Sequence, residues 1–294
     1  MPEGIQDVLA HLAEVSKKVA PQQLRLARFI HSNPRKVAFM NSVKLAQEAG
    51  VSNPTVIRLA IRLGFSGFPE FQKALQRETE RRYDSLERFL DDSAPGEEDF
   101  FQKVLSLEFH VLREMKEKLS REAVSRAVTL LESPGEVFVV GLLANTCLAE
   151  YLSYFLSILR DNVHVLSRFD HEAYGKIRAA RKDSVAVIYS FPRYPSGTQS
   201  LAKLCRAQEI PVIGITDSVM SPLAPFSDVL LEAPMKFITF IDPCAGAFAL
   251  THALLTAFFM NHPEKMRQKL KEFETFASGR DLFERKDIDI TTLL

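Results

Sequence analysis

Five short apolar runs in the second half of the chain constrain its fold most. Val137 to Val140, Val163 to Leu166, Val185 to Tyr189, Val212 to Ile215 and Val229 to Leu231 are strand-length and rich in β-branched residues. Between successive members of the first four runs lie segments of helical length: Asn145 to Leu159, His171 to Ala180 and Pro195 to Gln208. Buried strands alternating with helices specify a parallel sheet covered on both faces. In such a sheet ligands bind outside the carboxyl ends of the strands, where helix N-termini meet anions. Gly141 to Thr146 and Ser190 to Thr198 are therefore the expected ligand loops.

The first half carries a different signal. Ser42 to Phe65 reads as a helix, a tight turn at Gly50 and a second helix. Ser52 is placed to cap the second helix through a backbone N–H, and Pro54 lies in its first turn, where a missing N–H costs little. Val56, Leu59, Ala60 and Leu63 follow the i, i+3, i+4, i+7 spacing of one buried face. The other face carries Pro54, Arg58 and Ile61, flanked by Ile57, Thr55 and Arg62, and contains no acid. Such a face suits a DNA major groove, because arginine pairs with guanine or phosphate and an Ile or Thr methyl meets a thymine methyl. The expected base or phosphate contacts are Thr55, Arg58 and Arg62, with Lys44, Ser52, Asn53 and Ser66 positioning the DNA backbone. The simpler alternative is an αα-hairpin buried in an ordinary helical domain.

Charge supports the DNA reading. The 294-residue chain has no formal net charge, yet residues 1–77 hold eleven Lys/Arg against five Asp/Glu. Its three cysteines, Cys147, Cys205 and Cys244, are widely spaced without a Cys-x-x-Cys pair, so neither a disulfide framework nor a zinc site is expected. No cofactor, metal site or membrane span is expected, and the cytoplasm is the expected location. Ala245 to Met260, the most apolar run, is short for a bilayer and reads as a buried helix at a subunit interface. Asp242, followed by Pro243, is its expected N-cap. The acidic stretch Asp91 to Asp99, which contains Pro-Gly, reads as an interdomain linker.

Taken together, the halves resemble the RpiR/MurR family of bacterial transcription regulators, over roughly residues 5 to 260. The resemblance rests on LAQEAGVSNPTVIRLAIRLGFSGFPEF in the first half and PVIGITDSVMSPLAPFSDVLLEAP in the second. It implies an all-α helix-turn-helix domain (1–77), linker helices (78–105), a parallel-sheet α/β/α SIS, or sugar isomerase, domain (106–262) and a helical tail (263–294). It also implies that a small anionic metabolite, often a phosphorylated sugar, binds the SIS domain and changes DNA affinity. The chain departs from the family where the phosphate would be gripped. Gly141 keeps the first glycine of Gly-x-Gly-x-Ser, but Leu143 and Asn145 replace the other two positions. Ser190 keeps the first position of Ser-x-Ser-Gly-x-Thr, while Pro192, Arg193 and Pro195 stand at the next three, and Ser196-Gly197-Thr198 follows.

Two prolines stiffen this loop and remove two N–H donors. Arg193 supplies a planar, permanently charged donor for a carboxylate or phosphate. The expected ligand residues are Asn145, Ser190, Arg193, Tyr194, Ser196 and Thr198, and the expected ligand is anionic without being restricted to a sugar phosphate. The alternative is that Arg193 and Tyr194 pack or pair at a subunit contact. His164, His171 and Glu172 are candidates for proton transfer in an enzyme reading, an aldose–ketose sugar-phosphate isomerase with an accessory helical domain. A third reading gives the sheet domain dimerisation alone. The leading expectation is a non-enzymatic regulator that reads a palindromic operator on double-stranded DNA as a homodimer or tetramer.

Overall fold

A computed structural model describes residues 8–16, 18–78, 100–132, 135–237, 240–280 and 282–284. The proposed linker at Asp91 to Asp99 lies outside the described residues. The chain divides into two compact units, the first built from the N-terminal helices and the second from the sheet and its helices.

In the first unit α1 (Val8–Ser16), α2 (Pro21–Ser32), α3 (Pro34–Ala38), α4 (Ser42–Ala49), α5 (Asn53–Arg62) and α6 (68–78) enclose one apolar core. Leu12, Leu26, Ile30, Leu45, Leu59 and Leu75 are fully buried in it. The Asn41 side chain caps α4 by accepting from the Lys44 N–H at 2.8 Å. Gly50 ends α4 in the left-handed region at φ 64°. The Val51 N–H returns to the Ala46 carbonyl at 2.9 Å and the Gly50 N–H to Gln47 at 3.1 Å, so the helix end satisfies its own carbonyls. Helix α5 ends with the same hydrogen-bond pattern, from Phe65 to Ala60 and from Gly64 to Ile61. Phe65, Phe68 and Phe71 then fold back into the core, with the Phe65 and Phe71 rings edge to face at 5.5 Å.

In the second unit α7 (Phe100–Lys118) and α8 (Arg121–Leu131) precede a five-stranded, all-parallel sheet. Its strands are β1 (Val137–Gly141), β2 (Val163–Leu166), β3 (Val185–Tyr189), β4 (Val212–Thr216) and β5 (Val229–Glu232), in the spatial order β2-β1-β3-β4-β5. The connecting helices are α9 (Thr146–Leu159), α10 (His171–Ala179) and α11 (Ser196–Ala207), and α12 (Ala245–Asn261) and α13 (Pro263–Ser278) follow the last strand. The central strands share their side chains between two cores, because successive residues point to opposite faces. Val137 and Val139 of β1 join α8, α9, α12 and α13. Phe138 and Val140 join α10 and α11.

One local expectation changes. Helix α12 begins at Ala245 with Cys244 at its N-cap, so Asp242 lies two residues outside the capping position and Pro243 lies before the helix. The buried side of α12 carries Leu250, Thr251, Leu254 and Phe258, and the Thr251 hydroxyl meets the Tyr189 phenol at 2.8 Å. No helix among the described residues is long and apolar enough to cross a membrane.

The α4 turn gives a direct test. A Cβ at Gly50 would lie 2.4 Å from the end of the Arg25 side chain, which can move, but φ would stay left-handed. Gly50→Ala is therefore expected to cost about 1–2 kcal/mol, the left-handed penalty of an L-residue, measured as a lowered urea midpoint for helical ellipticity in the full chain. An unchanged midpoint would show that the turn relaxes.

Candidate DNA-reading face and sheet-edge crevice

The first candidate site is the outer face of α5. Leu59, Val56, Ala60 and Leu63 are buried beneath it, while Pro54, Arg58 and Arg62 are exposed. Ile57 and Ile61 are 39% and 55% exposed, which leaves two aliphatic side chains beside a guanidinium on an otherwise ordinary helix. Lys44 is exposed on α4.

Thr55 is not on this face. It lies four residues before Leu59, about 40° away around the helix, and is buried. Its hydroxyl meets Ser52 Oγ at 2.8 Å and accepts from Arg58 at 3.5 Å, so Thr55 steers Arg58 from beneath. Ser52 departs from the expected cap as well. Its backbone is extended, as a cap requires, but its hydroxyl bonds Thr55 rather than a backbone N–H. Asn53 is half-buried with its side-chain oxygen turned inward. Arg62 donates to the Lys18 carbonyl at 2.6 Å. Ser66 gives both its N–H and its hydroxyl to Glu70 at 2.8 Å, which holds that carboxyl below its ordinary range. Arg58, Ile57 and Ile61 therefore remain as the side chains that the fold leaves least committed.

The second candidate site lies where the sheet order reverses. Strands β1 and β3 are neighbours, yet their connections leave on opposite sides, and this opens a crevice at their carboxyl ends. Gly141 has no room for a side chain, because a Cβ there would approach the Asn145 carbonyl oxygen to 2.3 Å and the Ala149 Cβ to 2.7 Å. The turn that follows places Leu143 at φ 56° with 78% of its surface exposed. Asn145 is buried, its amide donating to the Leu142 carbonyl at 3.4 Å, and Thr146 Oγ1 donates to the Gly141 carbonyl at 3.0 Å. A Cβ on Gly197 would strike both Leu142 and Phe169, so the loops after β1, β2 and β3 converge here.

Ser190 and Thr198 are wholly buried at the end of β3 and in the first turn of α11, and neither hydroxyl has a partner among the described residues. Two unpaired buried hydroxyls beside a helix N-terminus suit an anion that accepts hydrogen bonds. Ser196 and Arg193 are exposed. Tyr194, at φ 47°, turns its phenol to Asp217 and donates to the carboxylate at 2.9 and 3.0 Å. Burial, followed by the Asp217 charge, pushes the phenol's pKa far upward, so it stays protonated. Tyr194 braces the loop instead of facing an anion with a free hydroxyl. Sequence reasoning missed Asp217, because only the β3–β4 pairing brings it to this loop.

Of the proton-transfer candidates, His164 lies away from the crevice and Glu172 is held in an ion pair. His164 pairs with Glu136 at 3.2 Å and with the Phe138 ring, toward the amino end of β1. Glu172 pairs with Lys176 at 2.8 Å on α10. No cluster of three or more His, Cys, Asp or Glu suited to a metal occurs among the described residues.

A helix-turn-helix with an exposed reading face, and a 2-1-3-4-5 parallel sheet with a polar crevice, together define a helix-turn-helix protein with a doubly wound α/β domain. Residues 6–82 match the model of the helix-turn-helix domain, rpiR family, and residues 130–261 match that of the SIS domain. The chain joins an rpiR-family helix-turn-helix domain to a SIS domain. The HTH-type transcriptional regulator HexR of Escherichia coli (strain K12) is 25% identical over 282 residues, 92% of each chain. The sugar isomerase domain of an RpiR transcription factor from Sphaerobacter thermophilus matches with a TM-score of 0.57 at 22% identity, covering 59% of this chain and 97% of that one. The Vibrio vulnificus NanR protein complexed with ManNAc-6P gives a TM-score of 0.58 at 20% identity, covering 95% of this chain and 100% of that one.

The brace at Tyr194 can be weighed directly. Tyr194→Phe removes a phenol donated to a carboxylate, an interaction of about 1.5–3 kcal/mol. The variant is expected to unfold at lower urea by that margin in fluorescence- or dichroism-monitored melts. A cost near zero would mean that the Asp217 carboxylate is rehydrated when the phenol is lost.

Proposed function

We propose that this chain is a sequence-specific, DNA-binding transcription regulator whose SIS domain senses a small anionic metabolite, a sugar phosphate or an organic acid. The observation that carries the DNA half is the α5 face, where Ile57, Arg58 and Ile61 stand exposed over a fully buried opposite face. Arg58 reads a guanine or a phosphate, the two isoleucines meet thymine methyl groups, and Lys44 and Arg62 reach phosphates. Freeing Arg62 costs its bond to the Lys18 carbonyl. The effector half is supported by the unpaired Ser190 and Thr198 hydroxyls beside the α11 N-terminus, with exposed Arg193 in the same loop. The NanR protein, solved with a phosphorylated sugar, supports that ligand class for the fold.

The regulator is cytoplasmic and non-enzymatic, and it reads a palindromic operator as a homodimer or tetramer. The effector acts through its differential affinity for DNA-competent and DNA-incompetent states. The isomerase reading is weakened because His164 lies toward the amino end of β1 and Glu172 is already paired with Lys176.

Selection of duplexes from a random pool by the full chain gives the DNA probe. Arg58→Ala is expected to weaken binding to the selected duplex by about 1–3 kcal/mol and relax its specificity if a base is read, or to lower the salt slope by about one if a phosphate is read. A pool that yields no preferred sequence would defeat the regulator reading. For the crevice, Thr198→Val replaces an unpaired buried hydroxyl with a methyl of similar shape. The ligand-free protein is expected to melt at the same temperature or higher, while calorimetric affinity for the best anion from a sugar-phosphate and organic-acid screen falls at least several-fold. Unchanged affinity would remove Thr198 from the site.

A further inference from the structure

The three cysteines are far apart in sequence, but two of them lie at the starts of neighbouring helices. Cys205 is buried in α11 among the aliphatic residues of the second core. Cys147 is exposed in the first turn of α9, where its thiol donates to the Ala144 carbonyl at 3.2 Å. Cys244 is half-buried at the N-cap of α12, near enough to Cys147 for that thiol to raise its pKa. The packing one turn further along each helix agrees. Tyr151, four residues after Cys147, sets its ring at 5.3 Å and 89° to that of Phe248, four residues after Cys244. The N-terminal turns of α9 and α12 therefore lie beside one another, with Cys147 and Cys244 at their starts.

We propose that Cys147 and Cys244 form a reversible intramolecular disulfide when the protein meets a peroxide. The exposed Cys147 reacts first. Its thiolate attacks one peroxide oxygen, a sulfur–oxygen bond forms as the oxygen–oxygen bond breaks, and the departing hydroxide takes up a proton to leave as water. Cys147 is then a sulfenic acid. The Cys244 sulfur gives up its proton and attacks the Cys147 sulfur, and the hydroxyl leaves as a second water. Two thiols lose two electrons and two hydrogens, and one hydrogen peroxide becomes two waters.

The environments divide these roles. Burial, then Cys147, Asp242 and Glu108, push the Cys244 thiol up to about 11. A thiol so poorly ionised is a weak first nucleophile, but its reduced form gains nothing from a stabilised thiolate, and this favours the disulfide at equilibrium. The bond would tie the start of α9, which follows the Gly141–Thr146 loop, to the segment leading into α12.

The test uses the purified, fully reduced chain and hydrogen peroxide at one equivalent. The expected product has lost two hydrogens by intact mass under denaturing, non-reducing conditions. It also shows one reactive thiol in place of three, yields a cross-linked peptide pair containing Cys147 and Cys244, and reverts with dithiothreitol. Cys205→Ser should still form the bond, whereas Cys244→Ser should instead gain oxygen at Cys147. Oxygen addition in the wild-type chain with the two thiols unlinked would overturn the proposal. Disulfides only between chains, or a bond that includes Cys205, would overturn it too.

Discussion

Burial on both faces is the constraint from which the second unit follows. A parallel strand whose alternate residues enter two different apolar cores can meet solvent only at its ends. Polar chemistry is therefore confined to the turns. At the β1–β3 reversal, two connections leaving on opposite sides keep those turns from closing over one another. Asn145, Ser190 and Thr198 owe their position to this topology more than to local sequence. Their burial is tolerable because they sit at strand and helix ends, where an incoming acceptor can replace water.

The first unit solves a different problem. Its reading helix must be held firmly and yet keep one side free. Helices α4 and α5 both close their C-termini with their own backbone, so neither needs a neighbour to satisfy its last carbonyls. The small hydroxyls at the start of α5 bond each other and Arg58.

Much of this was legible in the sequence, and the reasons are specific. The apolar runs from Val137 to Leu231 announce strands because each is short, β-branched and bounded by helical segments. Gly50 and the spacing of Val56, Leu59 and Leu63 announce the helix-turn-helix. Thr55 was misplaced because residue type suggested a base contact while its angle around the helix put it beside Leu59. Ser52 and Asp242 have the residue types of caps, but cap geometry depends on where the backbone turns: the Ser52 hydroxyl bonds Thr55 and helix α12 begins at Ala245. The Tyr194–Asp217 brace and the Cys147–Cys244 proximity join residues distant along the chain, and no local pattern encodes them.

Leu143 carries a consequence beyond its own turn. The family pattern has glycine at this position, yet here the backbone holds a left-handed bend with a full aliphatic side chain turned outward. The trace of the rim is therefore set by the packing around Gly141 and Gly197, not by the residue at the bend itself. A rim of this kind can exchange its side chains one at a time while the path of the chain stays fixed, so a single scaffold can diverge toward chemically unrelated small molecules.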